Sequence, residues 1–175
     1  DVLDELPDKI ENNIKISFSK EEENLYIANL SQINDKLKSA LDIEQIDKFQ
    51  ILSMMTRLRQ LCCEPRILYN DIQEPSSKMK ACLDIIKKAK ENKQKVLLFS
   101  SFTSSLEFIE KELRKDDISY YVLTGATNKI KRHQLVNAFQ NDNTNVFLIS
   151  LKAGGTGLNL TAASIVIHYD PWWNM

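Results

Sequence analysis

Cysteine, histidine and glycine are scarce in this 175-residue chain, long apolar runs are missing, and each shortage removes a class of protein. The three cysteines, Cys62 beside Cys63 and Cys82 alone, build neither a disulfide framework nor a CxxC metal knuckle. With only two histidines, His133 and His168, no zinc site is expected, and the thiols are expected buried and free in a reducing compartment. No stretch approaches the roughly 20 apolar residues that span a bilayer, and the opening DVLDELPDK is acidic where a signal peptide is basic. The expectation is a chain that stays in the compartment where it is made, with no membrane partner. Sequence motifs are missing too. No G-x-x-x-x-G-K-[ST] supplies a phosphate loop, and although Gly155 and Gly157 give G-x-G, Leu160 stands at the third glycine position of the dinucleotide fingerprint. Neither histidine belongs to a nucleophile–base pattern, and His168, inside an apolar run, reads as a core residue.

What is present suits one sizeable core with an appendage: 43% hydrophobic and 27% charged residues are ordinary for a globular protein. The net charge of −1 hides an uneven distribution, with −6 over residues 1–50 and +5 over residues 51–175, which permits a local phosphate-facing surface. Residues 9–18 alternate weakly (Ile10, Ile14, Ile16, Phe18) as an edge segment does. Ser19 with Glu22 forms a capping box that starts a helix near Lys20, with Leu25, Ile27, Leu30, Ile33 and Leu37 on its buried face. A second helix runs from about Glu44 with Ile46, Phe49, Leu52, Met55, Leu58 and Leu61 inward, and Pro65 stops it. Arg57 and Arg59 flank that stripe as solvated charges.

From Ser76 onward, strands alternate with helices. Ser76 or Ser77 caps a helix, Val96 to Phe99 is a buried strand, and Thr103 or Ser104 caps the next helix. Residues 118–123, 145–150 and 164–169 are further strands, with a helix starting at Asn128 between the first two. This order predicts an α/β fold, an open parallel sheet flanked by helices and preceded by a helical appendage. In such sheets ligands collect at the carboxyl ends of the strands. Here those ends carry Ser100 to Thr103, Leu123 to Thr127, residues 150–157 and residues 170–174, so hydroxyls, all four glycines and both tryptophans share one rim. Bare backbone N–H groups with Ser150, Lys152 and Thr156 suit phosphodiester oxygens, and an exposed Trp173 suits a base or sugar. The rim has the groups to hold phosphates but none that breaks bonds unaided.

Several stretches resemble the C-terminal RecA-like lobe of Swi/Snf-type helicase-like ATPases, motors that translocate on duplex DNA. MMTRLRQLCCEP resembles that family's LxxLRQxCxHP helix, KVLLFSSFT its motif IV, and Leu123 to Thr127 with Arg132 its LDGST…R segment. The highly specific match is the pair STKAGGxGLNLTxA…DPWWNP, carried here by residues 150–162 and 170–174. The resemblance implies three parts: an inter-lobe connecting segment (residues 1–18), a helical protrusion (19–75) and an incomplete α/β lobe (76–175). It implies DNA-backbone contacts from Ser101, Thr103, Gly125, Thr127, Ser150, Lys152, Ala153, Gly154 and Trp173, and nucleotide contacts from Gly155, Gly157 and Asn159. ATP and Mg2+ would be held mainly by a first lobe of the same polypeptide, with none bound here. Duplex DNA and that first lobe are the implied partners, in the bacterial cytoplasm with the nucleoid or in a eukaryotic nucleus.

The chain departs from the family pattern at Thr124 and Ala126, where the family has aspartate and serine, and at Met175, where it has proline. The family's arginine-finger segment follows that point, so no catalytic residue is assigned, and the 175 residues alone are expected to be monomeric and inert. The alternative reading is an α/β domain that binds nucleic acid or a protein passively. A nucleotide-sugar or dinucleotide enzyme is a third, disfavoured by Leu160.

Overall fold

A computed structural model describes residues 10–42, 48–154 and 157–171, apart from the side chains of residues 40–42. Four strands, β1 (Val96–Ser100), β2 (Tyr120–Leu123), β3 (Val146–Ser150) and β4 (Ile165–His168), form a parallel sheet in the order β2-β3-β1-β4. Val96 pairs with both Val146 and Ile165, and Ser100 with Ser150, so the strands end on one rim. The expected α/β architecture is what the chain adopts.

The strands alternate with helices because their apolar residues must be covered on both faces. Val96, Leu98, Val146 and Leu148 point to one side, where α3 (Ser77–Glu91) and α4 (Thr103–Lys115) bring Ile86, Leu106, Ile109 and Leu113. Leu97, Leu123, Phe147 and Ile149 point to the other, packed by Phe139 of α5 (Lys129–Asn141). All five residues of β3 are buried, whereas edge strand β4 alternates and leaves Val166 52% exposed. His168 lies on that open side, exposed and stacked on Phe99 (centroids 5.6 Å apart, planes 20°), so the expected core histidine is a surface one.

The appendage consists of α1 (Lys20–Asp42), α2 (Lys48–Cys63) and a 3-10 turn (Pro65–Ile67). The capping box forms: Glu22 N donates to Ser19 Oγ (3.2 Å) and Ser19 N to Glu22 Oε2 (2.7 Å). The inward faces are narrower than periodicity suggested. Asn29 and Ile33 are buried on α1, but Ile27 is 56% exposed; on α2 Leu61 and Cys63 are buried, but Phe49 is 84% exposed and Leu52 and Met55 are also open. A two-helix arm has little to pack against beyond its base, which explains the difference. Residues 43–47, including Ile46, lie outside the described residues, and residues 10–19 join no strand of the sheet.

Polar ties fasten the base of the arm to the lobe. Glu64, wholly buried, receives Arg66 Nε (2.9 Å), Arg66 Nη2 (3.1 Å) and Ser76 N (3.2 Å), while Arg66 Nη1 reaches Glu112 Oε1 at 2.8 Å. Burial pushes the Glu112 carboxyl up, but hydrogen bonds from Arg66 and Lys115 outweigh it and hold its pKa below the ordinary value. Glu22 extends its capping role by accepting Ser77 N (2.8 Å) and Ser77 Oγ (2.5 Å), joining the start of α1 to the start of α3. Tyr169 Oη donates to Cys63 O at 2.7 Å, linking the residue after β4 to the end of α2.

Candidate nucleic-acid interface

At the end of β1 the chain turns directly into α4, and the turn is organised by Asp170, which lies just beyond β4 and is 3% exposed. Its carboxylate accepts Ser100 Oγ (2.6 Å), Ser101 N (3.0 Å to Oδ1) and the Ser101 hydroxyl. The cap position of α4 is Phe102, which makes no side-chain cap bond, so the expected cap by Thr103 or Ser104 is not what forms. Ser105 N is taken by Phe102 O (3.1 Å), and among the described residues no side chain caps the start of α4, which lies at the rim with Thr103 exposed.

Beyond β2, Thr127 N donates to Thr124 O (3.0 Å) and Thr124 N to Thr127 Oγ1 (3.1 Å), closing a turn with Gly125 at its tip. Gly125 is exposed, with no atom within 4 Å of where a Cβ would sit. Asn128 then caps α5 by accepting Lys131 N at 2.8 Å.

Beyond β3, the single turn α6 (Leu151–Gly154) exposes Lys152 but buries Ala153 at 4%. Ser150 is 3% exposed, because β3 is a central strand covered on both faces, and its Oγ meets no partner among the described residues. Of the expected backbone-contacting side chains, Ser150 and Ala153 thus belong to the packed interior rather than the open rim. Gly154 has a packing reason to be glycine, since a Cβ would stand 3.0 Å from Phe99 Cε1. Gly157 has a conformational reason, φ +47°, with open space around it, and Asn159 is exposed nearby in sequence. Leu160, 9% exposed, fills the core where a dinucleotide fold needs glycine. Gly155, Thr156, Trp172 and Trp173 lie outside the described residues.

The structure thus gathers Ser101, Thr103, Gly125, Thr127 and Lys152 at the carboxyl ends of three parallel strands. Ser101 is engaged by Asp170, so its N–H and O–H are spent inside the protein. Asp170, expected on the rim only as part of residues 170–174, organises it, and Arg59, expected to be a solvated charge, is engaged beside it. Arg59 Nη2 of α2 donates to Pro171 O (3.2 Å) and stands 3.8 Å from Asp170 Oδ2. The available signal was an aspartate directly after an apolar strand.

A parallel sheet flanked by helices, with a helical arm ahead of its first strand, is the architecture of a RecA-like lobe. The chain belongs to the helicase conserved C-terminal domain family, which matches residues 77–175, with the SNF2-related domain matching residues 1–67. It is 37% identical over 174 residues to an "Uncharacterized ATP-dependent helicase" of Mycoplasma pneumoniae, covering 99% of this chain and 16% of the relative. It is 33% identical to the "Putative ATP-dependent helicase/translocase YwqA" of Bacillus subtilis, covering 97% of this chain and 19% of the relative. The chain therefore spans less than a fifth of these relatives' length. Among solved structures it superposes on the Sulfolobus solfataricus SWI2/SNF2 ATPase C-terminal domain with TM-score 0.83 and 29% identity, covering 95% of this chain and 74% of that one. The Sulfolobus SWI2/SNF2 ATPase core in complex with dsDNA matches with TM-score 0.83 and 27% identity, covering 98% and 37%.

Proposed function

We propose that this chain serves as the second lobe of an ATP-driven duplex-DNA translocase, its rim carrying one strand's phosphates. The observation that carries the reading is the uncapped start of α4 at Thr103, set on the same rim as exposed Gly125 and Lys152. Helix N–H groups and a lysine suit phosphate, not base edges, so binding is expected to be indifferent to sequence. A neighbour of the same fold solved in complex with dsDNA supports this choice of ligand. Ser101 then acts mainly by shaping the turn, while Thr127 and, beyond the described residues, Trp173 complete the track.

The chain's own contribution to nucleotide would come from the bare backbone at Gly157 and the exposed Asn159 amide, which fit a phosphate or ribose approaching the lobe, with Gly155, outside the described residues, as the third expected contact. ATP with Mg2+, held mainly by the first lobe, supplies the free energy for opening and closing the cleft between lobes. Such a motor works on chromosomal DNA, in a bacterial cytoplasm or a nucleus.

The test uses the full-length parent and the 175 residues alone. The parent is expected to hydrolyse ATP faster with duplex DNA and the isolated chain to show no such stimulation. Lys152→Ala in the parent is expected to weaken DNA binding equally for unrelated sequences and to flatten the plot of log affinity against log salt by about one unit. A parent that binds DNA without stimulated hydrolysis would instead be a passive binder, and an unchanged salt slope would remove Lys152 from the interface.

A further inference from the structure

Resting on the reading of the rim as a DNA-backbone site, we infer that Arg59, on the helical arm, is a positioning residue that sets the β1–α4 turn and so couples the arm to DNA binding. Its guanidinium sits where three segments meet. It donates to Pro171 O at 3.2 Å, stands 3.8 Å from the Asp170 carboxylate, and lies 5.2 Å from the ring centre of Phe102. Phe102 is the cap residue of α4, and Asp170 holds Ser100 Oγ and Ser101 N. Two paths therefore lead from one arginine to the first N–H groups of α4: through Asp170 to Ser101, and through the ring of Phe102.

The charge arrangement gives this contact a purpose beyond fastening. Asp170 is almost fully buried next to a surface meant for phosphates, and an unbalanced carboxylate there would repel them. Arg59, 27% exposed, offsets that charge from the arm side, leaving the rim face to the helix terminus. The planar guanidinium can pair with Asp170 and Pro171 O while lying against Phe102, a combination an ammonium cannot reproduce. Arg57, two positions earlier, does nothing comparable: it bonds Asn29 Oδ1 (3.4 Å) and faces Tyr69, both within the appendage. The arm itself is fastened elsewhere, by Glu64, Arg66 and Glu112, by Glu22 on Ser77 and by the Tyr169 hydroxyl on Cys63 O. Tilting of the arm would therefore reach the rim through Arg59.

The test is a mutant cycle in the full-length parent, reading the duplex-DNA concentration that gives half-maximal ATPase stimulation. Arg59→Ala is expected to raise it about five- to tenfold, and in a Ser101→Ala background to raise it by a smaller factor, because the Ser101 hydroxyl on Asp170 is already gone while the Ser101 N–H and the Phe102 path remain. Arg59→Lys, which keeps the charge and guards against a misfolded Ala variant, is expected to recover part of the loss. Arg57→Ala is expected to leave the value unchanged, and Glu112→Gln to lower thermal stability without moving it. A lower melting temperature in Arg59→Ala with unaltered half-saturation, or full multiplication of the Arg59 and Ser101 effects, would overturn the inference. Should Lys152→Ala also leave half-saturation unaltered, the DNA reading of the rim falls and takes the inference with it; a shift with Lys152→Ala but none with Arg59→Ala sinks the inference alone.

Discussion

At the scale of single residues, the glycines of the rim are there for different reasons, and substitution separates them. Gly154→Ala places a Cβ against the Phe99 ring, which is itself stacked on His168, so stability is expected to drop by about 1–3 kcal/mol as the ring shifts. Gly157→Ala meets open space but keeps φ at +47°, and about 1 kcal/mol of backbone strain is expected. Gly125→Ala has neither problem and is expected to stay within about 0.5 kcal/mol of the parent. Urea unfolding of the three variants checks the ranking. Thr103→Pro makes the sharper test of function. Proline is tolerated at the first helical position, and Phe102 already holds the extended backbone (φ −107°, ψ 115°) that a residue before proline adopts. The fold is therefore expected to be unchanged while one rim N–H is lost, so DNA affinity falls at constant melting temperature; equal affinity would show that the α4 terminus binds no phosphate.

At the scale of elements, sequence reasoning reached further for starts and alternations than for faces. Ser19 with Glu22 marked the start of α1, and the apolar runs at Val96 and Val146 marked buried strands, because caps and continuous apolar runs are local facts. The inward faces of α1 and α2 were not legible, since which of several apolar rows is covered depends on where the arm meets the lobe. His168 misled for a similar reason: an apolar strand reads alike in the centre and at the edge of a sheet. The link from Arg59 to Pro171 spans 112 positions and left no trace in local pattern. The covered row has a measurable consequence: Ile33→Ala, at 8% exposure, is expected to cost about 2–4 kcal/mol, whereas Ile27→Ala, at 56%, should be neutral. Acid sensitivity is expected from the junctions between elements. Burial raises the Glu22 carboxyl, but bonds from Ser77 and Ser19 outweigh it, and its pKa lies below the ordinary 4.5, as does that of Glu112. A carboxyl depressed in the folded state contributes stability above its unfolded pKa and loses it as pH falls through the folded one. The urea midpoint should therefore decline as pH is lowered below about 4.5, less steeply in Glu22→Gln and Glu112→Gln, and parallel curves would refute the assignment.

At the scale of the whole molecule, the arm and the lobe differ in how each is held, and their local stabilities should differ accordingly. The lobe has two apolar layers on a sheet whose central strand is buried throughout, so the amides of β3 open only when the whole fold opens. The arm is held at its base by Glu22 to Ser77, Arg66 between Glu64 and Glu112, and the Tyr169 hydroxyl on Cys63 O; beyond Ile33 the described residues of α1 are exposed or at most half-buried. Amide hydrogen exchange should therefore grade along the chain: β3 protected to the global limit, the end of α2 near Leu61 close behind it, and α1 after Ile33 exchanging through local fraying. Tyr169→Phe makes the base of the arm the variable. Burial drives the phenol's pKa up, so Tyr169 stays a neutral donor at all ordinary pH, and removing its hydroxyl leaves Cys63 O without that bond. Exchange at the end of α2 should then quicken while β3 changes only by the small loss in global stability. Equal acceleration in both would mean that arm and lobe open as one unit, and an arm that moves independently of the sheet would have to be given up.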